Sequence, residues 1–394
     1  MESLLKFAPR PTGAGEMFQL LRDGTPRTRS ELAVQTGQAR STIAVRIDVL
    51  TAAGLIMPVG EASSTGGRRP ATFAFNPEAR VVLSVDLGAV HARLAIADLA
   101  ANLLTTYEEA LSIADGPEAV LERVAVLGRK LLKETGREQS DLAAIGIGLP
   151  GPVEHITGRP VSPPIMPGWD GYDVVGDLRK VFNVPVLVDN DVNLMAVGEH
   201  RTAWAEHNNV LVLKVSTGIG SGIILDGDLR RGAQGAAGDI GHVAARERFG
   251  EVPCNCGNTG CLEAVAGGAA LARSLSSQGL TADSVADVVG LVRSGEMAAQ
   301  GAVRDAGREI GAVLAACVSL LNPSLVVVGG AMVEAGEQLM AGIREVLYRR
   351  SLPLATQHLR IVTAQAKERA GVLGGAYLAI DHVLSPEAID RLFI

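Results

Sequence analysis

From residue 16 onward, apolar positions first recur at helical spacing. Met17, Leu20 and Leu21 form the stripe of a short helix, which Asp23-Gly24-Thr25-Pro26 stops. A second helix is predicted to open on Thr28-Arg29-Ser30-Glu31, a capping box in which Thr28 and Glu31 each satisfy a backbone N–H. It carries Leu32 and Ala33 inward and ends at Gly37, a natural left-handed cap. A third helix, from about residue 39 to 53, places Ile43, Ile47 and Leu50 on one face. The stretch LIMPVGEASSTGGRRPATFAFN then reads as a hairpin whose tip carries Gly67, Arg68 and Arg69.

Beyond residue 80 the period changes to that of strands. VVLSVD, a glycine turn and ARLAIAD in the first half are echoed by NVLVLKVS, TGIGSG and IILDGD in the second. Duplication of this kind predicts two similar α/β halves, each opening on a hairpin and ending in helices, with a ligand-sized cleft between them. A chain of 394 residues exceeds the size at which one core stops growing. The expected division is a helical head with its hairpin over 1–80, a first α/β lobe over 81–190, and a second lobe over 191–394 holding a cysteine-rich loop and oligomerisation helices.

Charge adds a function to the head. Residues 1–80 carry ten Lys/Arg against seven Asp/Glu, whereas the whole chain has net charge −7, so a basic head sits on an acidic body. Two helices joined by a tight glycine turn and followed by a hairpin make a winged helix-turn-helix, whose second helix enters the major groove. Arg40, Ser41, Thr42 and Arg46 are expected to face away from the Ile43/Ile47/Leu50 stripe toward DNA, and Gly67, Arg68 and Arg69 to meet phosphates or a narrow minor groove. The alternative is a small helical protein-interaction module. No apolar run reaches the roughly 18 residues of a membrane span, and the N-terminus lacks a signal peptide's apolar core, so the chain is read as cytoplasmic and without a membrane partner.

Candidate chemistry gathers at the expected cleft. GIGLPGPV ends a strand in a loop where the backbone at Gly151 can approach a ligand closely. VDNDVN ends another with Asn190 and Asp191, an amide beside a carboxylate that suits a polyol, although Asp191 also fits as a plain helix N-cap. STGIGSG, with Thr217, Gly218 and Gly220, has the composition of an anion nest and equally that of an ordinary hairpin turn. In GDIGHVAARERFGEVPCNCGNTGCLEAVAGG, His242, Cys254, Cys256 and Cys261 supply one imidazole and three thiols, a full tetrahedral set for structural zinc, Zn2+. A fortuitous cysteine cluster is the alternative. Zinc there would brace Glu263 relative to His242.

These motifs together resemble the ROK family of repressors, open reading frames and sugar kinases on the actin-like ATPase fold: the GGRRP wing, LPGPV, NDVN, TGIGSG, GH…CNCGNTGCLE and VVVGGA, spread over nearly the whole chain. The resemblance implies that Asn190, Asp191, Asp239, His242 and Glu263 contact sugar hydroxyls and that Asp191 matches the catalytic base of kinase members. It further implies that His242 serves both zinc and sugar, and that TGIGSG with Gly329-Gly330 forms an adenosine side. Two departures stand out. The family's Asp-x-Gly-Gly-Thr phosphate loop is here Asp86-Leu87-Gly88-Ala89-Val90, lacking the hydroxyl and the second glycine, and Asp239 stands where Glu is usual.

The expectation is therefore an α/β protein with a winged helix-turn-helix and a two-lobed actin-like body. It would be a sugar-responsive regulator, most plainly a repressor of carbohydrate genes, and not an enzyme. Asp86, Gly88, Thr217, Gly218 and Gly220 are read as vestigial phosphate contacts. Operator DNA, a monosaccharide effector and a second copy of the chain, in a homodimer or homotetramer, are the expected partners. The alternatives are an active sugar kinase with a DNA-binding head and a zinc-stabilised scaffold.

Overall fold

Residues 13–61, 70–246 and 251–393 are described by a computed structural model. Helices α1 (Ala14–Leu21), α2 (Arg29–Thr36) and α3 (Arg40–Ala52) open the chain, with strand β1 (Arg27–Thr28) between the first two. Thr28 Oγ1 accepts from the Glu31 N–H at 3.2 Å while Glu31 Oε2 accepts from the Thr28 N–H at 2.7 Å, which closes the capping box. Gly37 ends α2 at φ 67°, in the left-handed region. Strands β2 (Ile56–Glu61) and β3 (Ala71–Phe75) pair antiparallel, with β1 on the far side of β3. The tip residues Gly67, Arg68 and Arg69 lie outside the described residues.

Two five-stranded sheets follow. The first contains β4 (Val81–Leu87), β5 (His91–Asp98), β6 (Leu103–Ala110) and β7 (Leu142–Leu149), with helix α4 (Pro117–Glu134) before β7. A small hairpin, β8 (Val153–Glu154) and β9 (Arg159–Pro160), and helix α5 (Val174–Phe182) lead to its last strand, β10 (Val186–Asn190). Helix α6 (Asp191–Ala203) crosses to the second sheet, which starts with β11 (Val210–Val215), β12 (Ile219–Leu225) and β13 (Asp228–Leu229). Helices α7 (Leu262–Ala266), α8 (Gly268–Ser277), α9 (Val285–Arg293) and α10 (Met297–Leu321) precede β14 (Leu325–Gly329). Helices α11 (Glu337–Arg350) and α12 (Pro353–Thr356) precede β15 (Arg360–Thr363). The orders are β10-β7-β4-β5-β6 and β13-β12-β11-β14-β15. Each sheet thus joins an antiparallel meander to two following parallel strands, so the echo in the sequence is an echo in topology. No helix among the described residues is long and apolar enough to cross a membrane.

The chain end departs from the expected division. Helix α13 (Ala370–Val383) packs on β4 and β7 and along α6, and helix α14 (Pro386–Asp390) packs on α1. A second lobe running unbroken from 191 to 394 is therefore corrected: residues from 370 onward return to the first lobe and to the head. Backbones meet closely here. A Cβ at Gly374 would fall 1.8 Å from the Leu194 carbonyl oxygen, and one at Gly198 1.9 Å from that of Ala370. Ser84 Oγ donates to the Val372 carbonyl at 2.6 Å, and the buried Glu199 carboxylate accepts from the N–H groups of Gln365, Ala366 and Lys367.

Among the described residues the head shares its core with the body. Met17, Phe18, Leu32 and Ile47 belong to one apolar cluster with Val82 and Ala144 of the first sheet and Ile380 and Leu384 of the C-terminal end. Asp390 Oδ1 accepts from the Gly15 N–H at 2.9 Å, and Gln19 Nε2 donates to the Leu384 carbonyl at 2.7 Å. Asp381 joins Arg22 of α1 (3.4 Å) to Arg201 of α6 (2.5 Å).

Arg46 corrects a second expectation. It is only 8% exposed and hydrogen-bonds Gln38, whereas Arg40, Ser41 and Thr42 are exposed. Position 46 lies three residues after Ile43 and four before Leu50, so helical spacing puts it on the buried side. Arg46→Ala is accordingly expected to destabilise the head by roughly 1–3 kcal/mol, through lost packing and a stranded polar partner. Limited proteolysis of the head would read this without DNA present. Unchanged protection would return Arg46 to the outer face.

Candidate functional site: an interlobe cleft beside a Cys3His cluster

A cleft of about 1210 Å³ opens between the two sheets, and every residue proposed from sequence to touch sugar or phosphate lines it: Gly151, Asn190, Asp191, Asp239, His242 and Glu263, with Asp86, Gly88, Thr217, Gly218 and Gly220. Gly329 and Gly330 line it too. The strand ends explain this convergence, because parallel strands point their C-terminal ends at the crevice between α/β halves.

Asn190 closes β10 and is the N-cap of α6. Its Oδ1 accepts from the N–H groups of Val192 (2.9 Å) and Asn193 (3.3 Å), and its Nδ2 donates to the Gly151 carbonyl at 3.0 Å. One amide hydrogen is left for a ligand. Asp191 is thereby freed from capping. It is 5% exposed, and its Oδ2 receives the Lys214 ammonium at 2.6 Å. Burial pushes the Asp191 carboxyl above the ordinary carboxylate range, with Lys214 pulling against burial and the Asp86 charge adding to it.

The first glycine turn is occupied by the protein itself. A Cβ at Gly88 would fall 2.1 Å from Cε1 of His91, so the imidazole lies over the turn. His91 Nε2 and Arg93 Nη1 stand 3.9 and 3.7 Å from Asp86 Oδ2. Burial works to raise the Asp86 carboxyl, and the nearby His91 imidazole and the Lys214 and Arg93 charges more than offset it, leaving it below the ordinary range. The second turn is filled as well. Glu263 Oε2 accepts from the Ile219 N–H at 3.0 Å, and a Cβ at Gly218 would fall 2.1 Å from that same oxygen. An anion does occupy the TGIGSG turn, but it is a side chain of this chain.

Sequence reasoning missed two members of this site, Lys214 and His91, and, behind its lining, the Arg231 guanidinium that holds buried Asp189 at 2.6 Å. The one available signal was Lys214 as the lone charge in VLVLKV.

At one edge of the cleft, His242, Cys254, Cys256 and Cys261 bring their ligand atoms within 4.8 Å of one another, a group that can hold a metal ion. His242 Nδ1 lies 3.6 Å from Cys254 Sγ, and Cys256 Sγ lies 3.7 Å from Cys261 Sγ. The other ring nitrogen, Nε2, faces Asp239 Oδ1 at 3.9 Å. Burial pushes the Cys261 thiol up to about 12, so a bound cation is what would make it a thiolate at neutral pH.

Residues 82–382 match the family model described as the ROK family. The chain is 28% identical to the "Xylose repressor" of Caldicellulosiruptor bescii, with 94% of this chain and 95% of that protein covered. It is 30% identical to the "Glucokinase" of Halalkalibacterium halodurans, with 76% of this chain and 94% of that protein covered. The fold matches a solved ROK family transcriptional regulator, a homologue of the E. coli MLC protein, at TM-score 0.81 over 97% of this chain and 98% of that one, with 24% identity.

Proposed function

The chain belongs to the ROK family, and from that premise we propose that it is a sugar-responsive transcriptional repressor whose cleft has kept sugar recognition and given up phosphoryl transfer. The observation that carries this is the His91 imidazole lying over the first glycine turn, the one that departs from the family's phosphate loop, beside a wall of carboxylates that still faces open cleft. Similarity to repressors along almost the whole length, with the glucokinase match covering 76% of the chain, supports the same reading.

In this reading the head binds operator DNA through Arg40, Ser41 and Thr42, with Gly67, Arg68 and Arg69 on the backbone or minor groove, as one half of a symmetric dimer. A monosaccharide is held by Asp191, Asp239, Glu263, His242 Nε2 and the backbone at Gly151. The route to DNA runs from α6 to α13, which packs along it, and from the end of α13 and α14 to α1. Sugar changes operator affinity only as far as it binds one lobe arrangement more tightly than the other.

The metal is zinc in this reading, held by His242, Cys254, Cys256 and Cys261. A tetrahedral zinc ion has sulfurs about 3.8 Å apart and sulfur about 3.6 Å from nitrogen. The observed 3.7 and 3.6 Å fit both edges. With four protein ligands it supplies bracing and no open coordination position. His242 is fixed by it with Nε2 toward the cleft.

The test is a thermal-shift screen of monosaccharides and their phosphates on the full chain, followed by fluorescence anisotropy on selected operator DNA. A sugar at about 100 times its dissociation constant adds about 2.7 kcal/mol of stability. The expected result is a stabilising neutral sugar that changes DNA affinity, with affinity falling steeply as salt rises. ATP-dependent turnover of that sugar, abolished by Asp191→Asn, would overturn the reading in favour of a kinase.

A further inference from the structure

Three charged side chains from distant parts of the chain line the cleft: Asp86 near the end of β4, Asp191 at the start of α6, and Lys214 on β11. Lys214 Nζ touches Asp191 Oδ2 at 2.6 Å, with the two side chains 18% and 7% exposed. The charged groups acting on this pair are Asp86 and, from β5, Arg93. His91 faces Asp86 from the same strand. Arg93 is already engaged, at 2.6 Å from Glu108 Oε1. Asp191 therefore depends on one cation.

We propose that Lys214 is a positioning residue, the resident cation of the cleft, which holds Asp191 as an ionised acceptor for an uncharged polyhydroxylated effector and fills the place of a metal-bound phosphoryl group. The inference rests on the cleft being an effector site. Three arguments lead to it. A buried carboxylate stripped of its partner loses several kcal/mol of solvation and takes up a proton instead. A general base toward a sugar hydroxyl must accept that hydroxyl's proton, and here one oxygen of Asp191 is already bound to an ammonium. Phosphoryl transfer requires cations that neutralise the phosphates, whereas Lys214 is spent on carboxylates and Asp86, Asp191, Asp239 and Glu263 would repel an anionic ligand.

The experiment uses the full chain, with ¹³C-labelled aspartate carboxyls followed by NMR as pH is varied. The Asp191 resonance is assigned by Asp191→Asn. D-xylose, D-glucose and glucose 6-phosphate are the probes in parallel calorimetry. In Lys214→Gln without sugar, the Asp191 midpoint is expected to climb by about two pH units or more. Because a carboxyl with a raised midpoint loses its charge as pH falls, neutral-sugar affinity in Lys214→Gln should drop at least about tenfold between pH 8 and pH 6, while the parent protein stays flat. Lys214→Arg should restore the flat profile. Should Lys214→Gln unfold, Lys214→Gln/Asp191→Asn removes both charges and is expected to bind sugar weakly at every pH. An unmoved Asp191 midpoint, or glucose 6-phosphate binding more tightly than glucose, overturns the proposal. A moved midpoint in a protein that binds neither neutral sugar leaves the grip of Lys214 on Asp191 standing and overturns the sensor reading.

Discussion

Cys261→Ser is expected to remove the zinc proposed for the Cys3His cluster, one equivalent by elemental analysis in the parent chain, and with it the response to sugar. Cys261 is the buried member of the cluster and the N-cap residue of α7, whose second position is Glu263. Losing a thiolate leaves three donors for an ion that structural sites hold with four. Structural zinc is worth about 10–16 kcal/mol where it alone folds a peptide. In this body the loop ends are also held by the Leu262 N–H bonding the Val243 carbonyl at 2.9 Å, so only part of that is at stake. A loss of several kcal/mol, and a fall in melting temperature of roughly 2–4 °C for each kcal/mol, is the expected scale. Sugar affinity should fall with it, since His242 and Glu263 are placed by the two ends of the loop. Cys317→Ser is the control, a cysteine of α10 outside the cluster, and should leave zinc content unchanged. Full metal occupancy in Cys261→Ser would disprove the ligand set.

The second large effect is expected from Gly374→Ala. Helix propensity alone predicts a gain of about 1 kcal/mol when alanine replaces a helical glycine. The added methyl, however, would sit 1.8 Å from the Leu194 carbonyl oxygen, so α6 and α13 must part by more than an ångström. Overpacking of this kind costs typically 1–3 kcal/mol and more where backbone must shift. A net loss of about 2 kcal/mol or more in denaturant unfolding is the expected result. The partner substitution Gly198→Ala should behave alike, because its methyl would meet the Ala370 carbonyl at 1.9 Å. Folded protein recovered from either variant should bind sugar without passing the signal to DNA, since α6 carries Asp191 at one end while α13 leads to Asp390 and the head. Stability equal to that of the parent chain would mean the helices do not meet as described.

Much of the site was legible in the sequence because its signals are local. The capping box at Thr28 and Glu31 spans four residues, and three of the four side chains of the Cys3His cluster lie within eight. NDVN places Asn190 as cap and Asp191 as first helical residue, a distinction the sequence left open and the hydrogen bonds decide. Arg46 was misread although its position beside Ile43 and Leu50 carried the answer.

Alternation of apolar residues, glycine at the turns and cysteine spacing thus determined by themselves the paired α/β halves, the head and the metal cluster. Each depends on backbone period or on neighbours within a few positions. Only the tertiary structure decided that Lys214 faces Asp191, that Glu263 fills the second glycine turn, and that the chain end returns to bind the head. Those contacts join residues far apart in sequence. Their pairing is set by which strand ends share a cleft and which helix faces meet without side chains, quantities that no local pattern encodes.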